Sequence, residues 1–129
     1  MAEPSDLETR VITFFAAAES GDWDLFRSLL ADDGTFEQHS AHRGPESADE
    51  LTAASRGLVG SDLDLTYSNF RRTAVENVVI DRHEVRLTRP DGKTGSTDVC
   101  VIFEFDNSSR INRIDEYLDT AVFAHLFQP

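Results

Sequence analysis

The sequence predicts an α+β fold in which helices pack on one face of an antiparallel sheet. Two observations carry that expectation. Up to Gly60 the apolar residues recur at helical spacing, and from Leu63 onward they recur in the alternation of half-buried strands. The punctuation agrees with both: Ser and Asp stand where helices need caps, and Pro-Asp-Gly and Asn-Ser-Ser stand where strands need turns.

Ser5 and Glu8 have the spacing of a capping box, which satisfies free backbone N–H groups of a first helical turn. Leu7, Val11, Phe14, Phe15 and Ala18 then follow on one helical face, and Gly21 ends the helix. Asp22 caps a second helix carrying Trp23, Phe26, Leu29 and Leu30, which Asp32-Asp33-Gly34 is expected to stop. A short extended piece, Thr35 to Gln38, leads into a polar loop with His39, His42, Gly44 and Pro45. Ser47 and Glu50 repeat the capping spacing and open a third helix through Leu51, Ala54 and Leu58, with Gly60 as its cap. Leu63 to Ile80 is rich in β-formers but interrupted by Arg71-Arg72, which predicts one long bent strand or two short ones. His83 to Arg89 alternates, and Pro90-Asp91-Gly92-Lys93 reads as a hairpin turn. Val99, Val101, Phe103 and Phe105 face one way, and Asp98, Cys100, Ile102 and Glu104 the other. A last strand covers Arg110 to Leu118, and Asp119 caps a short terminal helix with Val122, Phe123 and Leu126.

The length, 129 residues, suits one domain spanning residues 1–129. Twelve basic against 24 acidic residues give a net charge of −12, which argues against nucleic acid and against anionic membrane surfaces as partners. The single cysteine, Cys100, cannot form an internal disulfide, so the expected compartment is the cytoplasm. The acidic start has neither the basic residues nor the apolar run of a signal peptide. No Gly-rich phosphate loop, G-x-S-x-G elbow or Cys-x-x-Cys is present.

Glu116 is the sharpest chemical signal. It lies between Ile114 and Leu118 on the strand face that should look inward. A carboxylate there either ionises at a cost or keeps its proton, which suits it to act as a base or an acid. The alternative is a structural glutamate paired with arginine or backbone. Gln38 is placed to orient water or a carbonyl beside it, or else to bond to its own loop. His39 and His42 with Glu37 resemble part of a metal cluster, but no third ligand is fixed, and no metal or cofactor is expected. His39 could instead supply a proton. Of Phe14, Trp23, Phe36, Phe70 and Phe103, most read as core and some as cavity wall. Cys100 reads as a small buried or interface residue, His83 and His125 as surface or packing residues, and Arg71-Arg72 as a solvated pair.

The run Phe14-Phe15-Ala16 to Ser20-Gly21-Asp22-Trp23, then Leu30-Ala31-Asp32-Asp33-Gly34-Thr35-Phe36, with Ile114-Asp115-Glu116-Tyr117-Leu118-Asp119 near the end, resembles the nuclear transport factor 2-like superfamily, in particular its SnoaL-like branch. The resemblance implies a cone-shaped, curved antiparallel sheet, N-terminal helices enclosing an apolar pocket, and a homodimer. It also implies chemistry of the isomerase, epoxide hydrolase or polyketide cyclase type, or else a non-catalytic small-molecule-binding or dimerisation domain. Positions matching the ketosteroid isomerase residues hold Phe14, Gln38 and Val101, none able to do that work. Positions matching limonene epoxide hydrolase hold Phe36, Gln38 and Glu116, which keep the amide and the carboxylate but lose the tyrosine. The expected site is therefore Glu116, Gln38 and His39 as catalytic groups, with Phe14, Trp23, Phe36, His42, Val101, Phe103 and Ile114 around a lipophilic substrate.

Overall fold

The computed structural model describes residues 5–40 and 43–128. The first apolar run folds as helix α1 (Asp6–Ser20), burying Val11, Phe14, Phe15, Ala17 and Ala18. Ser5 Oγ accepts from the Glu8 N–H at 3.1 Å, and Gly21 closes the helix in the left-handed conformation at φ 74°. Asp22 caps the short helix α2 (Trp23–Ser28). At α3 (Ala48–Val59) both halves of the Ser47–Glu50 capping box form, at 3.1 and 3.0 Å. Among the described residues no helix is long and apolar enough to cross a membrane.

Six strands follow or intervene: β1 (Leu30–Gln38), β2 (Arg43–Glu46), β3 (Asp64–Val75), β4 (Val78–Thr88), β5 (Thr94–Phe105) and β6 (Ile111–Leu118). They form one sheet in the order β2-β1-β6-β5-β4-β3. This corrects the expected cone-shaped antiparallel sheet. The sheet is mixed, because β1 runs parallel to β6 while the other pairs are antiparallel. It is also open: β2 and β3 are its edges, and among the described residues nothing pairs them to each other to close it. The α+β class stands, with helices and sheet meeting in one core.

Three boundaries also differ from expectation. Leu30 begins a strand rather than ending a helix, and Asp32-Asp33-Gly34 lies within β1, where the pairing with β6 slips between Leu30 and Thr35. The run from Leu63 to Ile80 falls in two strands, one of the two forms expected, but the turn between them is at Glu76-Asn77, with Glu76 at φ 55°, and not at Arg71-Arg72. Arg71-Arg72 does not interrupt β3. The irregularity sits just before it, a bulge between Ser68 and Arg71 with Asn69 at φ 56°.

The core forms where α1 crosses the sheet. Phe14 stacks on Phe26 at 4.5 Å and meets Phe103 edge-on at 5.5 Å, while Phe15 meets Tyr67 at 4.9 Å and Phe103 at 5.8 Å. Truncating either ring to alanine would cost about 3–5 kcal/mol. At the other end of the inner face a terminal 3-10 helix (Thr120–Phe127), capped by Asp119, buries Phe123 and Leu126. It packs so closely on β5 that a Cβ on Gly95 would lie 2.7 Å from the Val122 carbonyl oxygen.

Candidate functional site

The parallel pairing of β1 with β6 sets Gln38 directly opposite Glu116. The next strands continue the row, Glu116 facing Val101, Val101 facing Asp81, and Asp81 facing Arg72. Residues in register on neighbouring strands share a face, so a row of polar side chains, broken at Val101, crosses the inner face of the sheet.

Two adjoining cavities open over that face. The first, about 140 Å³, lies between the helices and β1, with Phe14, Trp23, Phe36, Leu51 and Ile114 in its wall. The second, about 250 Å³, lies between β3–β6 and the terminal helix, with Val85, Leu87, Val99, Phe123 and His83 in its wall. Gln38, Leu58, Leu65, Tyr67 and Glu116 line both. In that shared wall the Gln38 Nε2 amide donates to Glu116 Oε1 at 2.7 Å, a charge-assisted bond if the carboxyl is ionised.

Of the expected contact residues, Phe14, Trp23, Phe36, Val101 and Ile114 line the first cavity. Phe103 is fully buried beneath it, against Phe14 and Phe15. His42 lies outside the described residues. His39 is not brought to Glu116. Its ring stacks on Tyr117 at 4.7 Å, and its Nε2 lies 2.7 Å from Asp115 Oδ1, on the opposite face of β6. Arg113 binds the same carboxylate through two bonds of 2.9 and 3.0 Å. Burial alone would push the Asp115 carboxyl up, but the Arg113 and His39 bonds outweigh it and hold it below the ordinary carboxylate range.

Two residues the sequence reading did not place in the site belong to it. Tyr67, from β3, lines both cavities. Burial pushes its hydroxyl above the usual phenol range, and the negative charges of Glu116 and Glu19 add to the rise. It therefore keeps its proton and is able to donate a hydrogen bond. His83, expected as packing or surface, is buried, with its Nδ1 2.6 Å from Asp81 Oδ1. Arg72, expected to be solvated, lies inward with its Nε 2.6 Å from Asp81 Oδ2, an ion contact whose N–H is not aligned as a hydrogen bond. The bulge at Asn69 explains the inward turn, since it shifts the alternation of β3 so that Leu65, Tyr67, Phe70 and Arg72 all face the core side. Strand alternation was the available signal for His83: Val79, Asp81, His83, Val85 and Leu87 are successive inward positions of β4, all buried.

Among the described residues, no three His, Cys, Asp or Glu side chains are grouped so as to hold a metal ion.

Comparison with known proteins gives the same architecture a family. The chain shares its fold with IdmH, a proposed polyketide cyclase from Streptomyces antibioticus (TM-score 0.79, 15% identity, 92% of this chain and 95% of that one). It shares it equally with an LEH-like epoxide hydrolase from M. tuberculosis (TM-score 0.76, 20% identity, 90% and 84%). A further likeness is to an NTF2-like protein of unknown function from Burkholderia pseudomallei (TM-score 0.78, 18% identity, 98% and 100%). The fold is thus one used by small-molecule enzymes of cyclase and hydrolase type. No curated protein matches the chain in sequence. Residues 11–114 match the family model of the SnoaL-like domain, and on that match, which covers most of its length, the chain belongs to the SnoaL-like family.

Proposed function

We propose that this protein is a cofactor-independent enzyme in which Glu116 acts as base toward water, opening an epoxide on a small, neutral, lipophilic substrate. The observation that carries this reading is the 2.7 Å bond from Gln38 to Glu116 in the wall common to both cavities. Gln38 satisfies one carboxylate oxygen and fixes the plane of the group, leaving the other oxygen for a water proton. Tyr67, a donor that keeps its proton, is placed to bind the substrate oxygen. The fold shared with an LEH-like epoxide hydrolase supports the same chemistry. Size supports a small substrate: taken singly, the cavities of about 140 and 250 Å³ lie below the roughly 300 Å³ where drug-sized pockets begin, which favours a monocyclic molecule over a polycyclic polyketide. The proposal takes residues 1–129 as one domain, and the outer sheet face, where Ile80 and Tyr117 stand exposed, as the contact of a homodimer.

The test is hydration of limonene oxide and styrene oxide by the wild type and by Glu116→Gln, with binding followed in parallel by protein NMR. The near-isosteric change should lower turnover by a factor on the order of 10² or more while ligand-induced shifts persist. Ligand binding with no turnover by the wild type would instead make this a binding domain.

A further inference from the structure

Epoxide opening at neutral pH needs a proton donor as well as a base, and the groups assigned so far provide none. Gln38 has no proton to give, and Tyr67 holds its own too firmly. His39 faces the other side of the sheet, bound to Asp115. We infer that His83, held by Asp81, is the general acid of this pocket and delivers its Nε2 proton to the substrate oxygen across the second cavity from Glu116. This rests on the reading of Glu116 as the base.

Several observations support it. His83 and Glu116 line the same cavity. The His83 side chain is 1% exposed to solvent, so water does not compete for it from outside. Asp81, a buried acceptor, lies 2.6 Å from Nδ1 and fixes the ring with Nδ1 as the donor to it. Nε2 has no protein partner among the described residues. The ring itself is clamped by Phe15 at 4.7 Å, Phe70 at 5.1 Å and Tyr67 at 5.2 Å, so Nε2 keeps one direction. Arg72 lies 2.6 Å from the other Asp81 oxygen and so holds that carboxylate beside the ring. Asp81 and Arg72 are therefore positioning residues.

The step balances without a co-reactant other than water. Glu116 takes a proton from water, and the water oxygen bonds to one epoxide carbon. The C–O bond at that carbon breaks, its electron pair going to the epoxide oxygen, which takes the proton from His83 Nε2. The product is a diol; Glu116 is left protonated and His83 neutral, and one proton passed back through solvent restores both.

The charged and titratable groups facing His83 are Asp81 on its own strand, Tyr67 and Arg72 on β3, and Glu116 across the cavity; α1 offers Phe15 and, at its end, Glu19. Val99 on β5 and Phe123 and Phe127 on the terminal helix are uncharged. An acid acts only while protonated, so kcat/KM for limonene oxide should fall on the alkaline side as the imidazolium is lost. His83→Gln should lower kcat/KM on the order of 10²-fold and abolish that alkaline limb. Asp81→Asn should lower the rate while shifting the limb. A His83→Gln variant with the wild-type alkaline limb overturns the inference, whatever its rate. If Glu116→Gln is inactive while His83→Gln matches the wild type, only this inference falls; if the wild type turns nothing over, the enzymatic reading falls and this goes with it. Because a buried substitution can unfold the protein, the ring nitrogens of His83 are also read by NMR in the wild type. On adding limonene oxide the Nε2 resonance should move while Nδ1 stays; an unmoved Nε2 overturns the inference.

Discussion

Arg72→Met removes the arginine charge that lies against Asp81. The Asp81 side chain is wholly inaccessible and that of Arg72 is 14% exposed, with 2.6 Å between their charged atoms. Removing one member of such a buried pair strands the other, at a cost of about 3–5 kcal/mol. Methionine keeps much of the aliphatic stem, so the packing lost is mainly the guanidinium lying over Phe70, 4.3 Å from its centroid. For a chain of 129 residues the unfolding entropy comes to about 0.27 kcal/mol/K, so the expected fall in Tm is roughly 11–18 °C. Calorimetric melting at pH 7 measures it, with urea unfolding as a second determination. The double variant Arg72→Met, Asp81→Asn removes the pair whole and should regain much of the loss, because the Asp81 charge is no longer stranded without its arginine. A single-variant drop of less than about 4 °C, or a double variant no more stable than the single, would refute the claim that charge balance holds this part of the sheet.

Two further substitutions probe other parts of the fold. Asp115 has a depressed folded-state pKa, so its contribution is present above the ordinary carboxylate range and is lost as pH falls through the folded value; Asp115→Asn should be about 1–2 kcal/mol less stable at pH 7, with the gap closing in acid, as urea unfolding across pH will measure. Gly95→Ala drives a Cβ against the Val122 carbonyl and the Phe123 ring, so it should lose about 1–3 kcal/mol and raise KM for limonene oxide by loosening the terminal helix over the second cavity.

What the sequence made legible was local or periodic. The caps at Ser5, Asp22, Ser47 and Asp119 and the glycine stop at Gly21 all form, because each depends on a few adjacent residues. The inward set Val99, Val101, Phe103 and Phe105 is buried as the alternation required. Misreadings arose where a distant partner overrides local preference. Asp32-Asp33-Gly34 has the composition of a turn, yet β6 recruits it into a parallel pair, a connection no short window reveals. The bulge at Asn69 reverses which of Arg71 and Arg72 faces the core, and one extra residue in a strand leaves no mark in composition. At the site, the alternation of β6 gave the inward position of Glu116, and the cross-strand register then brought Gln38 to it. His39, one residue further on, falls on the other face and joins Asp115.

The insertion of β6 between β1 and β5 has a consequence for how the protein is made. During synthesis β1 and β5 both exist before β6 emerges, each with an open edge, leaving between them a slot one strand wide. Gln38 and Glu116 are 78 residues apart, so the site cannot assemble while that slot is empty. A chain stopped before Ile111 should accordingly be inactive and prone to pair its bare edges with other molecules, although its acidic surface would slow this. Such a chain should also accept a separate peptide bearing the sequence of β6. Filling the slot would restore the sheet and deliver Glu116 to Gln38 in one event, so that folding and the proposed activity return together.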